Sequence, residues 1–152
     1  MPKKERFKTE FIEAAVARYL SPRVNLIVPN AYWGLGFSHE LDMLVITPSN
    51  CAWEIEIKVD KYDLRNDKLK QKWKNYYNGR IRRLYYAIPD YLVDEIEHVQ
   101  EKAGILIVDK HKRVSKKREA TNISNHKFSD NDRMKALHMC CMRYWNLKLN
   151  LT

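Results

Sequence analysis

The amino-acid sequence predicts an α/β fold, a mixed β-sheet flanked by helices. Two observations carry that prediction. Helical and strand-like periods follow one another in the order αβββαβ, with a further helix and strand after them. Alternation of this kind sets helices against a sheet. In addition, two apolar runs, Glu40-Leu41-Asp42-Met43-Leu44-Val45-Ile46 and Trp53-Glu54-Ile55-Glu56-Ile57-Lys58-Val59, flank the turn-forming Thr47-Pro48-Ser49-Asn50 and read as a hairpin. The 152 residues suit a single domain, 1–152, with a sizeable core.

Each element has a local reason. Phe11, Ala15, Val16 and Tyr19 recur at helical spacing between about Lys4 and Leu20, and Ser21-Pro22 ends that helix. Val24 to Val28 reads as a strand, followed by an aromatic, glycine-bearing loop through Tyr32-Trp33-Gly34-Leu35-Gly36 and then by the hairpin. A basic helix is expected from about Asp60 to Asn78, a strand over Ile81 to Ile88, a short helix over Asp90 to Glu101 and a buried strand over Ile105 to Val108. Residues 114–128 are charged and lack a period, so they read as a mobile basic loop. Residues 129–152 read as a C-terminal helical extension, with Ser129 as its N-cap.

The hairpin carries charge where core strands normally have none. Burying an unpaired carboxylate or ammonium is costly, so such groups pair, bind metal or sit at a functional edge. Pairing centred on Ser49 sets Asp42 opposite Glu56, and opposed residues share a face. Lys58, two residues beyond Glu56, points the same way. Hard cations such as Mg²⁺ or Mn²⁺ prefer oxygen ligands and take only one or two protein carboxylates, keeping several waters. Asp42 and Glu56 are therefore candidate metal ligands, with the backbone carbonyl of Ile57 as a third. A lysine beside them can orient a water or stabilise charge building on a phosphate. A salt-bridged cluster on a solvated face is the competing reading.

Thirteen residues separate Asp42 from Glu56-Ile57-Lys58, and this spacing resembles the PD-(D/E)XK nuclease pattern. The resemblance continues through Asp63-Leu64-Arg65-Asn66-Asp67, Gln71-Lys72-Trp73, Arg83-Leu84-Tyr85-Tyr86-Ala87-Ile88 and Ala103-Gly104-Ile105-Leu106-Ile107-Val108-Asp109. In that order these segments are similar to the MmcB-like DNA-repair branch of the superfamily and its phage-borne relatives, over roughly residues 39 to 109. Leu41 stands where the pattern has Pro, and Lys68-Leu69-Lys70 lengthens the segment before Gln71. The resemblance implies a restriction-endonuclease-like sheet with an αβββαβ core. It also implies a Mg²⁺-dependent deoxyribonuclease of DNA repair, recombination or phage DNA processing. A glutamate from the first helix is implied near the metal, either Glu13 or, one turn earlier, Glu10. So is a helix residue near the scissile phosphate, which here is Gln71, Lys68 or Lys72.

Composition agrees with a nucleic-acid partner. The formal charge is +9, and from Lys58 to Arg83 ten Lys or Arg stand against three Asp. Lys61, Arg65, Lys68 and Lys72 fall on one helix face, interleaved with Trp73, Tyr76 and Tyr77. Such cations contact phosphates without reading sequence, and aromatics can stack on bases. A solvated lysine-rich face with core aromatics is the plainer alternative. Cys51 and the adjacent Cys140-Cys141 form neither a disulfide framework nor a zinc pattern, which points to a reducing cytosol. The charged start lacks a following apolar run, so no secretory leader is expected, and no stretch is long enough to span a bilayer. His39 is a candidate base or phosphate ligand, or a strand cap. No small-molecule cofactor is expected. Pairing of two copies would suit a double-strand cut, yet no self-complementary apolar face stands out. A non-catalytic DNA-binding or repair-scaffold protein on a nuclease fold is the alternative function.

Overall fold

The computed structural model describes residues 5–32, 34–37, 39–67 and 79–150. Helix α1 (Thr9–Leu20) leads into strands β1 (Leu26–Ala31), β2 (Leu41–Ile46) and β3 (Ala52–Ile57). Helix α2 (Lys61–Asn66), strand β4 (Arg83–Pro89), a 3₁₀-helix (Asp90–His98), β5 (Gly104–Val108), β6 (Val114–Arg118) and helix α3 (Asp130–Lys148) follow. The six strands form one sheet in chain order. The β1–β2 and β2–β3 pairs are antiparallel, β3–β4 and β4–β5 are parallel, and β6 is antiparallel to β5. The α/β class and the mixed sheet flanked by helices are thus as the sequence predicts.

Strand side chains alternate between the two faces, and helices cover both, which is why β2 and β3 are apolar nearly throughout. Met43, Val45, Ile55, Ile57, Tyr85 and Ala87 meet Ile12, Ala15 and Val16 of α1 on one face. On the other, Leu44, Ile46 and Ala52 pack with Phe128 and with Ala136 of α3. Beside them Leu84, Tyr86, Ile88 and Ile105 receive Leu64 of α2 and Leu92 of the 3₁₀-helix. Burial of each such aliphatic side chain stabilises by roughly 1.5–3 kcal/mol.

Caps fix where the helices begin. The Asp60 carboxylate accepts the backbone N–H groups of Tyr62 and Asp63 at the start of α2. Ser129 and Asp132 form a reciprocal capping box at the start of α3. Only the first part of the expected long basic helix, Lys61–Asn66, lies within the described residues.

The segment read as a loop contains a strand. Residues 114–118 form β6, whose Ser115, Lys116 and Lys117 are exposed. Its ladder to β5 is made by backbone groups, so it leaves no hydrophobic period to read. A lysine-bearing edge also discourages pairing with another sheet. The chain that follows is bonded back to the sheet: Thr121 donates to the Lys102 carbonyl, Ile123 to Arg82 and Phe128 to Asn50, at 2.9, 2.9 and 2.8 Å. Among the described residues no helix is long and apolar enough to cross a membrane.

Gly104 opens β5 at a close approach. A Cβ there would overlap the Tyr85 ring and lie 2.8 Å from the Ala120 backbone nitrogen. Overpacking of this kind costs about 1–3 kcal/mol. Gly104→Ala should therefore lower the urea midpoint by an amount equivalent to that loss; an unchanged midpoint would contradict the contact.

Candidate active site

The site forms where β2 and β3 part company. Their ladder pairs Met43 with Ile55, Leu44 with Glu54, Val45 with Trp53 and Ile46 with Ala52, the register centred on Ser49. The turn that sets it places Asn50 at φ 63°, in the left-handed region that asparagine tolerates. Beyond Met43 and Ile55 the strands run on, and a side chain bridges them. The Asp42 Oδ2 atom accepts the Ile57 backbone N–H at 2.8 Å. The next N–H along, that of Lys58, turns the other way and donates to the Ala87 carbonyl of β4 at 3.1 Å. A strand residue's N–H and C=O share one edge and its neighbour's share the other. The Ile57 carbonyl consequently faces the edge where the Asp42 carboxylate lies.

Glu54, Glu56 and Lys58 occupy the positions that alternate with the α1-facing core residues, so they belong to the opposite face. Glu54, Glu56 and Lys58 are buried, with 1%, 5% and 7% of their surface exposed. Each is partnered, as burial demands. The Lys58 Nζ lies 2.9 Å from Glu56 Oε1 and 3.1 Å from Asp67 Oδ1. The Tyr86 hydroxyl donates to the other Asp67 oxygen. The Glu54 Oε1 is 2.8 Å from His39 Nε2.

These contacts set the charge state of the lysine. Burial alone would depress the Lys58 ammonium, but the charges and hydrogen bonds of Glu56 and Asp67 outweigh it and hold its pKa above the ordinary value. Lys58 is therefore a fixed cation at neutral pH. It can donate hydrogen bonds and oppose negative charge.

Of the residues singled out from the sequence, Asp42 is brought to the Ile57 backbone and Glu56 to Lys58. Glu13 joins neither contact. It sits half-buried on α1, and its carboxyl is raised by burial and then by the charge of Glu10. It shares no hydrogen bond or ion pair with Asp42, Glu56 or Lys58 among the described residues, because α1 packs on the other face. Lys61 is exposed at the start of α2, with its Nζ 5.2 Å from the Tyr62 ring centroid. Arg65 is exposed but engaged, donating to both carboxylate oxygens of Glu95 at 2.8 and 2.7 Å. That pairing reduces its reach toward a phosphate. Lys68, Gln71 and Lys72, with Trp73, Tyr76 and Tyr77, lie outside the described residues.

Asp67 and Tyr86 escape a reading by motif alone. Asp67 is fully buried. A signal for it exists: it stands three residues after Leu64, hence on the sheet-facing side of its helix. Tyr86 is the β4 register partner of Glu56. His39, a candidate base in the sequence, pairs with the buried Glu54.

A metal of the implied kind can be matched to these groups. Among the described residues no three His, Cys, Asp or Glu side chains lie close enough together to hold an ion. A hard divalent cation does not need three, since one or two carboxylates with carbonyl and water oxygens suffice. Asp42, beside the Ile57 backbone, and the neighbouring Glu56 fit that modest requirement.

No protein-family model matches the chain, and no curated protein matches it. Its fold is similar to that of a solved protein of unknown function from Silicibacter pomeroyi. The two share 19% sequence identity over 95% of this chain and 94% of that one, with a TM-score of 0.67. At that identity the likeness concerns architecture alone.

Replacing the cation tests the cluster. Lys58→Met should leave Glu56 and Asp67 buried without their common partner, a loss of about 3–5 kcal/mol. The raised pKa gives a sign. The lysine's contribution is fully present below the unfolded-chain value of about 10.4 and is lost as pH rises through the folded one. Denaturation curves should show a wild-type advantage that is level from neutral pH to mild alkali and narrows only beyond it. An advantage that shrinks between neutral pH and mild alkali would contradict the assignment.

Proposed function

We propose that the protein is a metal-dependent nuclease of the PD-(D/E)XK type, hydrolysing DNA phosphodiester bonds in repair, recombination or phage DNA processing. One observation carries the reading: where β2 and β3 separate, the Asp42 carboxylate accepts the Ile57 N–H at 2.8 Å, and the two residues flanking Ile57, Glu56 and Lys58, pair with each other at 2.9 Å. The order of strands supports it, since an antiparallel β1–β2–β3 unit continues into parallel β4 after a helix, as in the restriction-endonuclease-like core.

On this reading Asp42 and Glu56 hold Mg²⁺ or Mn²⁺, with the Ile57 carbonyl as a further oxygen. Such an ion, when bound, polarises a phosphoryl oxygen and acidifies a coordinated water. Lys58, kept protonated by Glu56 and Asp67, opposes the charge that builds on the phosphate and orients the attacking water by donating to it. Asp67 and Tyr86 aim the lysine. Lys61 lies three residues beyond Lys58 and is available to a DNA backbone, while the +9 charge favours a polyanion throughout.

A second reading has an observation in its favour. Lys58 closes on Glu56 and Asp67 as a buried ion cluster, which also describes a structural core of a DNA-binding or repair-scaffold protein that does not cut.

Incubation with branched, single-stranded and duplex DNA, with Mg²⁺ and with EDTA, separates the two. Asp42→Ala and Glu56→Ala should each reduce Mg²⁺-dependent cleavage by at least about a hundredfold while DNA affinity stays near the wild-type level. Wild-type turnover in either variant would remove these carboxylates from the mechanism. DNA binding without cleavage on every substrate would favour the scaffold.

A further inference from the structure

Helix α3 is docked by one side and bare on the other. Its inner side holds the sheet edge: Ala136 is buried, Cys140 Sγ donates to the Ile27 carbonyl at 3.1 Å, and Arg143 donates to the carbonyls of Pro29 and Asn30 at 3.4 and 2.7 Å. Strand β1 is thereby covered, so this edge cannot recruit another strand. The outer side carries Met134, Leu137 and Trp145, 63%, 40% and 53% exposed, with Cys141 and Lys148 also exposed. Tyr144 flanks Trp145, their rings 5.4 Å apart and edge to face.

The spacing of that stripe is the telling feature. Met134, Leu137, Cys141, Trp145 and Lys148 follow one another at intervals of three, four, four and three residues. Steps of three and four keep all five on one face of a helix. The series also reads the same in both directions about Cys141. A two-fold interface is made of one patch meeting itself, and this spacing brings apolar positions opposite one another in such a pairing. Two α3 helices crossing antiparallel at Cys141 would set Leu137 against the partner copy's Trp145 and Met134 against the stem of its Lys148. The ends are complementary too: Asp130 and Asp132 occupy the first turn and Lys148 the last, and antiparallel helices align opposite ends of their dipoles.

The available surface is of the right size. A standard interface hides about 800 Å² on each partner. Half-exposed Tyr144 and Trp145 contribute roughly 200 Å² between them. Met134 and Leu137 add apolar surface beside them, and polar side chains form the rim. Bare apolar surface of this extent on one helix marks an interface.

We propose that the outer face of α3 is a homodimer interface, with the two helices antiparallel and Cys141 on the two-fold axis. The inference is independent of the nuclease reading. Its placement leaves the β2–β3 site of each copy open, because α3 lies against β1 at the far side of β2.

Light scattering of the full chain across a dilution series, under reducing conditions, should show a dimer. Leu137→Glu with Trp145→Glu should weaken it by at least about a hundredfold, the loss expected for central interface anchors. Both positions are exposed, and circular dichroism checks that the fold is kept. A second measurement needs no disruption of the surface. Diamide, which accepts the two electrons and two protons released by a pair of thiols, should link two wild-type chains through a Cys141–Cys141 disulfide. The link should survive Cys140→Ser and vanish in Cys141→Ser, because only residues with Cα atoms within about 7 Å can be bridged. A wild type that is monomeric at every concentration would overturn the proposal. So would a dimer indifferent to the double substitution, or one cross-linked through Cys140 or Cys51.

Discussion

A buried ammonium shared by two buried carboxylates organises this molecule. Lys58 lies beneath the surface of the sheet because Glu56 and Asp67 flank it, and it in turn offsets the burial of both carboxylates. Desolvation of three charges is repaid only by close geometry and by further hydrogen bonds, such as that from Tyr86 to Asp67. Two consequences follow from the one cluster. It ties the end of β3 to the end of α2, and it holds Glu56 at the point where Asp42 crosses from β2 to the Ile57 backbone.

The sheet divides the labour between its faces. Toward α1 the strands present Met43, Val45, Ile55 and Ile57, a dry layer whose role is packing. Toward α2 they present Glu54, Glu56 and Lys58, each buried and each partnered. A period of two makes this possible, since neighbouring residues of one strand can serve opposite purposes. The polar face also explains why the sequence tolerates charge within strands otherwise rich in Ile, Leu and Val. Fixing the lysine as a cation suits chemistry at a phosphate, and it equally suits a rigid scaffold; the distinction rests on what Asp42 and Glu56 hold.

Much of this was legible from particular residues. The turn formers between Ile46 and Cys51 gave the register of the β2–β3 ladder. What escaped was either long-range or masked by charge. Asp67 finds Lys58 only after α2 folds back on the sheet, although its spacing from Leu64 already marked its side. Arg65 reads as one more phosphate contact, and only the approach of the 3₁₀-helix shows that Glu95 claims it. Strand β6 has no apolar period because its lysines face solvent, and its stability lies in backbone ladders that sequence patterns do not display. The outer stripe of α3 went unnoticed because its apolar residues are indistinguishable in sequence from those that dock the helix.

The central claim is that the Asp42 and Glu56 carboxylates face one cation beside a fixed ammonium. Calorimetric titration with Mn²⁺ or Mg²⁺ tests it most directly, without reference to any substrate. Wild-type protein should bind the ion, and Asp42→Ala, still folded, should bind it much more weakly or not at all. Equal binding by the two proteins, or no binding by the wild type, would contradict the account.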